Sequence, residues 1–324
     1  MIEYLLFYKQ RLPISSKWER SWDIFITAYN SSGRVRSIYE RVSAKKKYWL
    51  ILPEYEYTEK EYPPSGSIYA DQAESEVVFI SQFVESLGPS LKNKRVVIDI
   101  TGFISHYVLV LIAILGRSGV TRCDVIYGEP VRYLRSERTR FSDEAVLAVR
   151  QVSGFEGTHT TDTDHDLLVL AVGYDFRLVA EVANNKEHAR KVQLFGLPSL
   201  RPDMYQENLL CAEIVAEAVG PEASSPHRFT YAPAHDPFVT ASVLSDLVRD
   251  HRARHPRANV YLSPLSTKAQ ALGFAVFYLR ECKNTPTSIL YPFCRRYMKE
   301  TSEGLSGAWL YRIELDQLTL KSKR

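Results

Sequence analysis

Three side chains able to hold an anion stand together at Ser266-Thr267-Lys268, between the apolar run Val260-Tyr261-Leu262 and the helical spacing that begins at Ala269. Two hydroxyls and a cation ahead of a helix N-terminus suit a phosphate or carboxylate. The first amides of a helix lack intrahelical partners and the helix dipole is positive there. A cap alone needs one hydroxyl, so ordinary N-capping and ligand contact stay open as alternatives for this turn. Turns of similar character follow other apolar runs. They hold Asn30, Ser31, Ser32 and Arg34; Thr101 and Gly102; Gly173, Tyr174, Asp175 and Arg177; Gln270 after Lys268; and the late-strand residues Glu129, Arg132 and Arg296. These are the expected ligand-binding residues.

The elements that must position these turns are written twice. Val-Val-Ile-Asp-Ile-Thr-Gly-Phe from Val96 leads through an apolar helix pattern to Val-Ile-Tyr-Gly-Glu-Pro-Val-Arg-Tyr133. Val-Tyr-Leu-Ser-Pro-Leu-Ser-Thr-Lys from Val260 leads the same way to Ile-Leu-Tyr-Pro-Phe-Cys-Arg-Arg-Tyr297. Paired landmarks extend the likeness. Asp23 and Asp166, and Arg34 and Arg177, are 143 apart; Pro53 and Pro198 are 145 apart. Tyr69 and Tyr231 are 162 apart, and Arg132 and Arg296 are 164 apart. The single jump of about 17 residues predicts one inserted helix near 203–218 in the second copy.

Strands alternating with helices predict an α/β fold of two tandem Rossmann-like domains with mainly parallel sheets, pseudo-two-fold related. The expected boundaries are 1–153 for copy one, 154–165 for a linker rich in Gly, Thr and Asp, and 166–324 for copy two. Ile2 to Tyr8 reads as a short edge strand, Ala145 to Gln151 as a further strand, and Tyr107 to Leu115 as a buried helix. In such folds ligands lie beyond the carboxyl ends of the strands, which selects the turns above.

Composition narrows the function. The 324 residues carry a net charge of +3, too small to argue for direct DNA binding. The basic stretches Lys45–Lys47 and His251–Arg257 each fall at an expected helix end, where cations complement the dipole. Cys123, Cys211, Cys282 and Cys294 lack ligand spacing and read as reduced thiols of a cytoplasmic protein. No signal peptide or membrane-spanning run is visible. There is no Walker A loop, no Gly-x-Gly-x-x-Gly after a first strand and no Gly-x-Ser-x-Gly elbow. Asp162, Asp164, His165 and Asp166 read as a polar linker rather than a metal site. His251 and His255 read as solvent-facing. No catalytic residue, metal site or cofactor is assigned.

At the Thr101-Gly102 and Ser266-Thr267-Lys268 turns the chain resembles the CARF superfamily, the CRISPR-associated Rossmann-fold ligand-sensing domains. Their late strand ends in a Thr-Gly-Gly-Thr-Lys-like turn before a helix. The second copy has Pro264 and Leu265 in place of the glycine pair; the first has Thr-Gly without the lysine. The resemblance implies domains that pair about a two-fold axis and bind a nucleotide such as a cyclic oligoadenylate. It also implies an antiviral defence role, signalling to a separate effector protein, since no effector domain is recognisable after Arg312. Two alternatives remain. One is a metal-independent phosphodiesterase of the ring-nuclease type; the other is a non-catalytic interaction subunit, to which the tyrosines around Pro63-Pro64 are suited.

Overall fold

In the computed structural model, which describes residues 3–133, 142, 145–225 and 228–319, the chain forms two α/β units. Strand β1 (Lys9–Leu12) is followed by β2 (Ser21–Ala28), α1 (Gly33–Arg41), β3 (Ser43–Ile51), β4 (Ser67–Ala70) and α2 (Glu76–Ser86). Then come β5 (Val96–Asp99), α3 (Ser105–Arg117), β6 (Arg122–Tyr133) and β7 (Val146–Gln151). The second half has β8 (Leu167–Ala171), α4 (Phe176–Asn185), β9 (Arg190–Gly196) and the helices α5 (Pro202–Ile214), α6 (Ala216–Val219) and α7 (Pro221–Ser224). It continues with β10 (Thr230–Ala232), α8 (Pro237–Arg254), β11 (Val260–Pro264) and α9 (Lys268–Phe277). It closes with β12 (Thr287–Cys294), β13 (Ser302–Glu314) and α10 (Leu315–Thr319).

The amino-terminal unit holds a seven-stranded sheet in the order β1-β13-β6-β5-β2-β3-β4. Its five strands β4-β3-β2-β5-β6 are parallel, β13 adds antiparallel to β6, and β1 pairs antiparallel with β13 at the sheet edge. On one face α1 covers a core of Phe25, Ile38, Val97, Ile126 and Leu310, with Trp18 and Trp22. On α3 all but three residues are buried, as a near-continuous apolar run demands, and α2 packs beside it. The Phe83 ring of α2 meets Tyr48 of β3 edge-on at 5.6 Å.

The carboxyl-terminal unit repeats the parallel order as β10-β9-β8-β11-β12, with β7 antiparallel to β12. The duplication is therefore real at the level of topology. Arg34 and Arg177 are each the second residue of the helix after the central strand, and Tyr69 and Tyr231 lie in equivalent strands. The insertion lies where the offset jump puts it. It is three helices rather than one, because Val215 leaves helical geometry and Gly220, at φ 87°, precedes a proline.

The domain boundaries differ from the expected ones. The amino-terminal unit comprises Phe7–Leu134 and Arg296–Arg324; the other comprises Met1–Leu6 and Arg135–Arg295. Strand β7, expected in copy one, pairs with β12, and β13, expected in copy two, pairs with β6. Each sheet thus takes its antiparallel strand from the sequence that follows the fifth parallel strand of the other sheet. Residues 4–6 form a single 3-10 turn rather than an edge strand, and Ile2 of that expected strand lies outside the described residues. Tyr4 is buried in the carboxyl-terminal unit, where its hydroxyl meets Glu281 Oε1 at 2.5 Å.

Residues 154–165 are not a free linker. Phe155 is fully buried and its carbonyl accepts from Ile289 N at 2.9 Å. Buried Asn259 accepts from Thr160 N at 2.8 Å and donates to the carbonyls of Thr160 and Asp162 and to Asp166 Oδ1. Gly157, at φ 68°, is needed because a Cβ there would stand 2.1 Å from the Thr287 carbonyl oxygen. Lys45–Lys47 also differ from expectation, since they lie in β3. Lys47 still serves a helix end by donating to the Tyr39 carbonyl of α1 at 2.7 Å. His251 is buried and bonds the His165 carbonyl at 2.8 Å instead of facing solvent. Among the described residues no helix is long and apolar enough to cross a membrane.

If residues 154–165 are part of the carboxyl-terminal core, Phe155→Ala should cost about 3–5 kcal/mol of stability. Equilibrium urea unfolding measures this, and a loss below about 1 kcal/mol would assign the segment to a solvated linker.

Candidate functional site

Both parallel sheets reverse strand order beside their central strand, between β2 and β5 in one unit and between β8 and β11 in the other. The turns beyond those strand ends are the crevice positions of an open α/β sheet. The two crevices differ in chemistry.

In the amino-terminal unit the centre is Asp99, which ends β5 and which sequence reasoning missed. Thr27 at the end of β2 donates its hydroxyl to Asp99 Oδ2 at 3.1 Å, and the Thr101 amide donates to Oδ1 at 2.9 Å. Thr101 Oγ1 in turn accepts from Gly128 N of β6 at 2.8 Å. The Gly128 carbonyl accepts from Arg34 Nη1 at 2.7 Å. One hydrogen-bonded chain therefore joins the ends of β2 and β5, the middle of β6 and the first turn of α1. Arg34 is buried and its Nε has no partner among the described residues. Gly102 permits the turn after β5 to touch the end of β2, since a Cβ would lie 2.3 Å from the Ala28 carbonyl oxygen. Its own carbonyl accepts from Tyr55 Oη at 3.0 Å.

Burial pushes the Asp99 carboxyl up to about 6, against the opposing pull of the Thr101 and Thr27 hydrogen bonds and of Arg34. The only sequence signal for it is an acid ending the apolar run Val-Val-Ile-Asp.

The turn after β2 is the more open part. Asn30 Oδ1 accepts from Ser32 N at 3.1 Å, and Ser31 N donates to Tyr57 Oη at 2.8 Å. Ser32 is the N-cap of α1, yet its side chain makes no capping bond, although that is the usual reason for serine there. Its Oγ is buried with no hydrogen-bond partner among the described residues. A buried hydroxyl without a partner costs about 1–3 kcal/mol, so a bound acceptor would repay its position.

Beside this crevice, Tyr107 Oη donates to both oxygens of Glu54, at 3.0 and 3.1 Å, and His106 Nε2 lies 3.8 Å from Glu54 Oε1. His106 is fully buried. It follows Ser105 on α3, and adjacent helical side chains do not face each other. The Glu54 contact comes from a loop 52 residues away and has no local signal.

In the carboxyl-terminal unit the hydroxyl turn is mostly structural. Thr267 is the N-cap of α9, accepting from Gln270 N at 3.2 Å and donating to the Ala234 carbonyl at 2.5 Å. Gln270 is fully buried and donates from Nε2 to the Ala232 carbonyl at 3.2 Å; its Oε1 has no partner among the described residues. Thr267 and Gln270 therefore fasten α9 to the end of β10 before any ligand is considered. Ser266 and Lys268 remain half-buried at the same turn. Gly173 repeats the close approach of Gly102 from the opposite strand, because a Cβ would lie 2.3 Å from the Leu265 carbonyl oxygen. Tyr174 and Asp175 are buried; Asp175 faces Arg177 Nε at 3.4 Å, and Arg177 Nη2 donates to the Ser142 carbonyl at 3.0 Å.

Three expected site residues are drawn into pairings elsewhere. Glu129 accepts from Trp309 Nε1 at 2.9 Å across the β6–β13 pair, Arg132 pairs with Glu303 at 2.6 Å, and Arg296 pairs with Glu56 at 3.2 Å. Glu129 and Arg132 lie in β6, where Trp309 and Glu303 of β13 claim them, while Arg296 lies two residues beyond β12 and is claimed by Glu56, just after the Pro53–Tyr55 turn. Among the described residues no group of three or more His, Cys, Asp or Glu side chains could hold a metal ion.

The raised carboxyl of Asp99 ties stability to pH. The unfolded chain releases this proton near ~3.9, the folded one near 6. Between these values the folded state binds more proton, so stability is full below about 4 and falls as pH rises to about 6. A window of about two pH units corresponds to about 3 kcal/mol. Asp99→Asn should flatten this dependence, read as urea midpoints at pH 4.5 and 7; an unchanged slope would remove Asp99 as its source.

No protein-family model matches the chain, and no curated protein matches it.

Proposed function

We propose that the chain is a tandem CARF-like nucleotide sensor of a prokaryotic antiviral defence system, which passes a ligand signal to a separate effector. The observation that carries this reading is Ser32. It stands at the N-cap position of the helix that starts at the topological switch point, and its buried hydroxyl has no partner among the described residues; a phosphate oxygen there would find amide donors and a positive helix end. The second unit offers Ser266 and Lys268 at its own switch point, the cation adding a charge-assisted contact. Each of these turns by itself suits a phosphate group, and the resemblance to CARF domains makes a cyclic oligoadenylate the first choice of ligand. The tight packing of Thr27, Asp99, Thr101 and Gly128 supports a receptor pre-organised for binding.

The test is calorimetric titration of the full chain with cyclic oligoadenylates and with mononucleotides. Binding should be measurable, and Ser32→Ala and Lys268→Ala should each weaken it by about tenfold, the value of one hydrogen bond to a charged group. Absence of binding to every nucleotide by the folded protein overturns the reading. Chromatography of the ligand after long incubation decides between sensing and turnover, because a sensor returns it intact.

A further inference from the structure

The inserted segment Pro202–Ser225 has no helical counterpart in the amino-terminal unit, where β3 and β4 are joined by 3-10 turns at Pro53–Tyr55 and Glu59–Glu61. Its inner face is accounted for. Met204, Asn208, Cys211 and Ala212 are buried; Ala212 packs with Val172 and Phe195, and Leu209, Phe229 and Tyr231 close over them. Cys211 Sγ lies 3.6 Å from the Tyr174 carbonyl oxygen, so the helix rests on the turn after β8.

Its outer face is not accounted for by the fold. Gln206, Leu210, Glu213 and Ile214 share the outward side of α5. Leu210 is 54% exposed and Ile214 58% exposed, one turn apart. A helix that only covers a sheet carries polar residues on this side. The charge around the pair is of one sign. The segment holds Asp203, Glu207, Glu213, Glu217 and Glu222 with no Lys, Arg or His, in a chain of net charge +3. Asp203 pairs with Arg201 and Glu222 with Arg228. Glu207, Glu213 and Glu217 have no ion-pair partner among the described residues. Two apolar anchors at i and i+4, ringed by uncompensated carboxylates, match an amphipathic cationic helix in both shape and charge. A second copy of the same face does not fit, since a two-fold contact would oppose these carboxylates to themselves.

We propose that the outward face of α5 docks a basic amphipathic segment of a partner protein, with Leu210 and Ile214 as its apolar anchors and Glu207, Glu213 and Glu217 as its charged rim. This surface stands independently of which ligand the switch-point turns take.

The probe is a fluorescent amphipathic peptide of leucine and lysine, titrated with the full-length chain and followed by anisotropy, beside a counterpart with glutamate in place of lysine. The lysine peptide should bind, more weakly as salt rises, and the glutamate peptide at least tenfold more weakly. Leu210→Gln with Ile214→Gln should lower affinity at least tenfold, and so should Glu213→Lys with Glu217→Lys, which leaves the apolar pair intact. Leu147→Gln, an exposed position on β7, should leave affinity unchanged. These side chains are exposed, so circular dichroism of the variants should match the parent. Equal affinity of either folded double variant and the parent, or of the two peptides, overturns the proposal. So does self-association of the parent that the Leu210/Ile214 variant abolishes, which would make a second copy the occupant.

Discussion

The Asp99 carboxylate is the constraint on which the amino-terminal crevice depends. It collects a hydroxyl from β2 and an amide from its own turn, and through Thr101 it reaches the backbone of β6. Parallel strands have no hairpins to register them, so something else must hold the ends of β2 and β5 level beside β6. Here that is a buried acid with one donor from β2, one from the turn after β5, and a guanidinium within its field. The arrangement accounts for two further features. The turn after β5 can press against β2 only because residue 102 has no side chain, and Arg34 is turned inward to Gly128 rather than outward to solvent.

The two crevices have diverged in how they use polar residues. The amino-terminal one commits its hydroxyls to strand ends but leaves the Ser32 Oγ without a partner among the described residues. The other uses Thr267 and Gln270 to fasten α9 to the end of β10 and keeps Ser266 and Lys268 at the turn. Gly102 and Gly173 solve the same steric problem from opposite strands of the pair. A duplicated fold can thus keep its crevice geometry while its two copies place different donors there. The insertion lies on the crevice side of the second copy only, with Cys211 against the Tyr174 carbonyl, so divergence in surface and in site occurs together.

Much of the site was legible as position and little of it as chemistry. Strand ends follow from apolar runs, and the rule for open α/β sheets then selects the turns. Whether a hydroxyl at such a turn is available depends on neighbours far along the chain. Thr267 has the position of a ligand contact, but its hydroxyl donates to the Ala234 carbonyl, 33 residues away. Asp99 looked like a strand terminus because Thr27, 72 residues away, carries no local mark. Glu129, Arg132 and Arg296 were selected by spacing, and long-range partners claimed each of them.

By itself the sequence determined most of the element types, the duplicated succession of strands and helices along the chain, and the place of the insertion. These depend on hydrophobic period, caps and breakers within a few residues, and on the constancy of an offset. Tertiary structure alone decided which sheet receives β7 and β13, and that residues 154–165 belong to a core. An alternating apolar pattern says that a segment is a strand, but its hydrogen bonds are satisfied by any antiparallel edge of suitable register. The choice of edge is made by long-range contacts, such as Trp309 donating to Glu129 and Ile289 N donating to the Phe155 carbonyl, which no local pattern encodes.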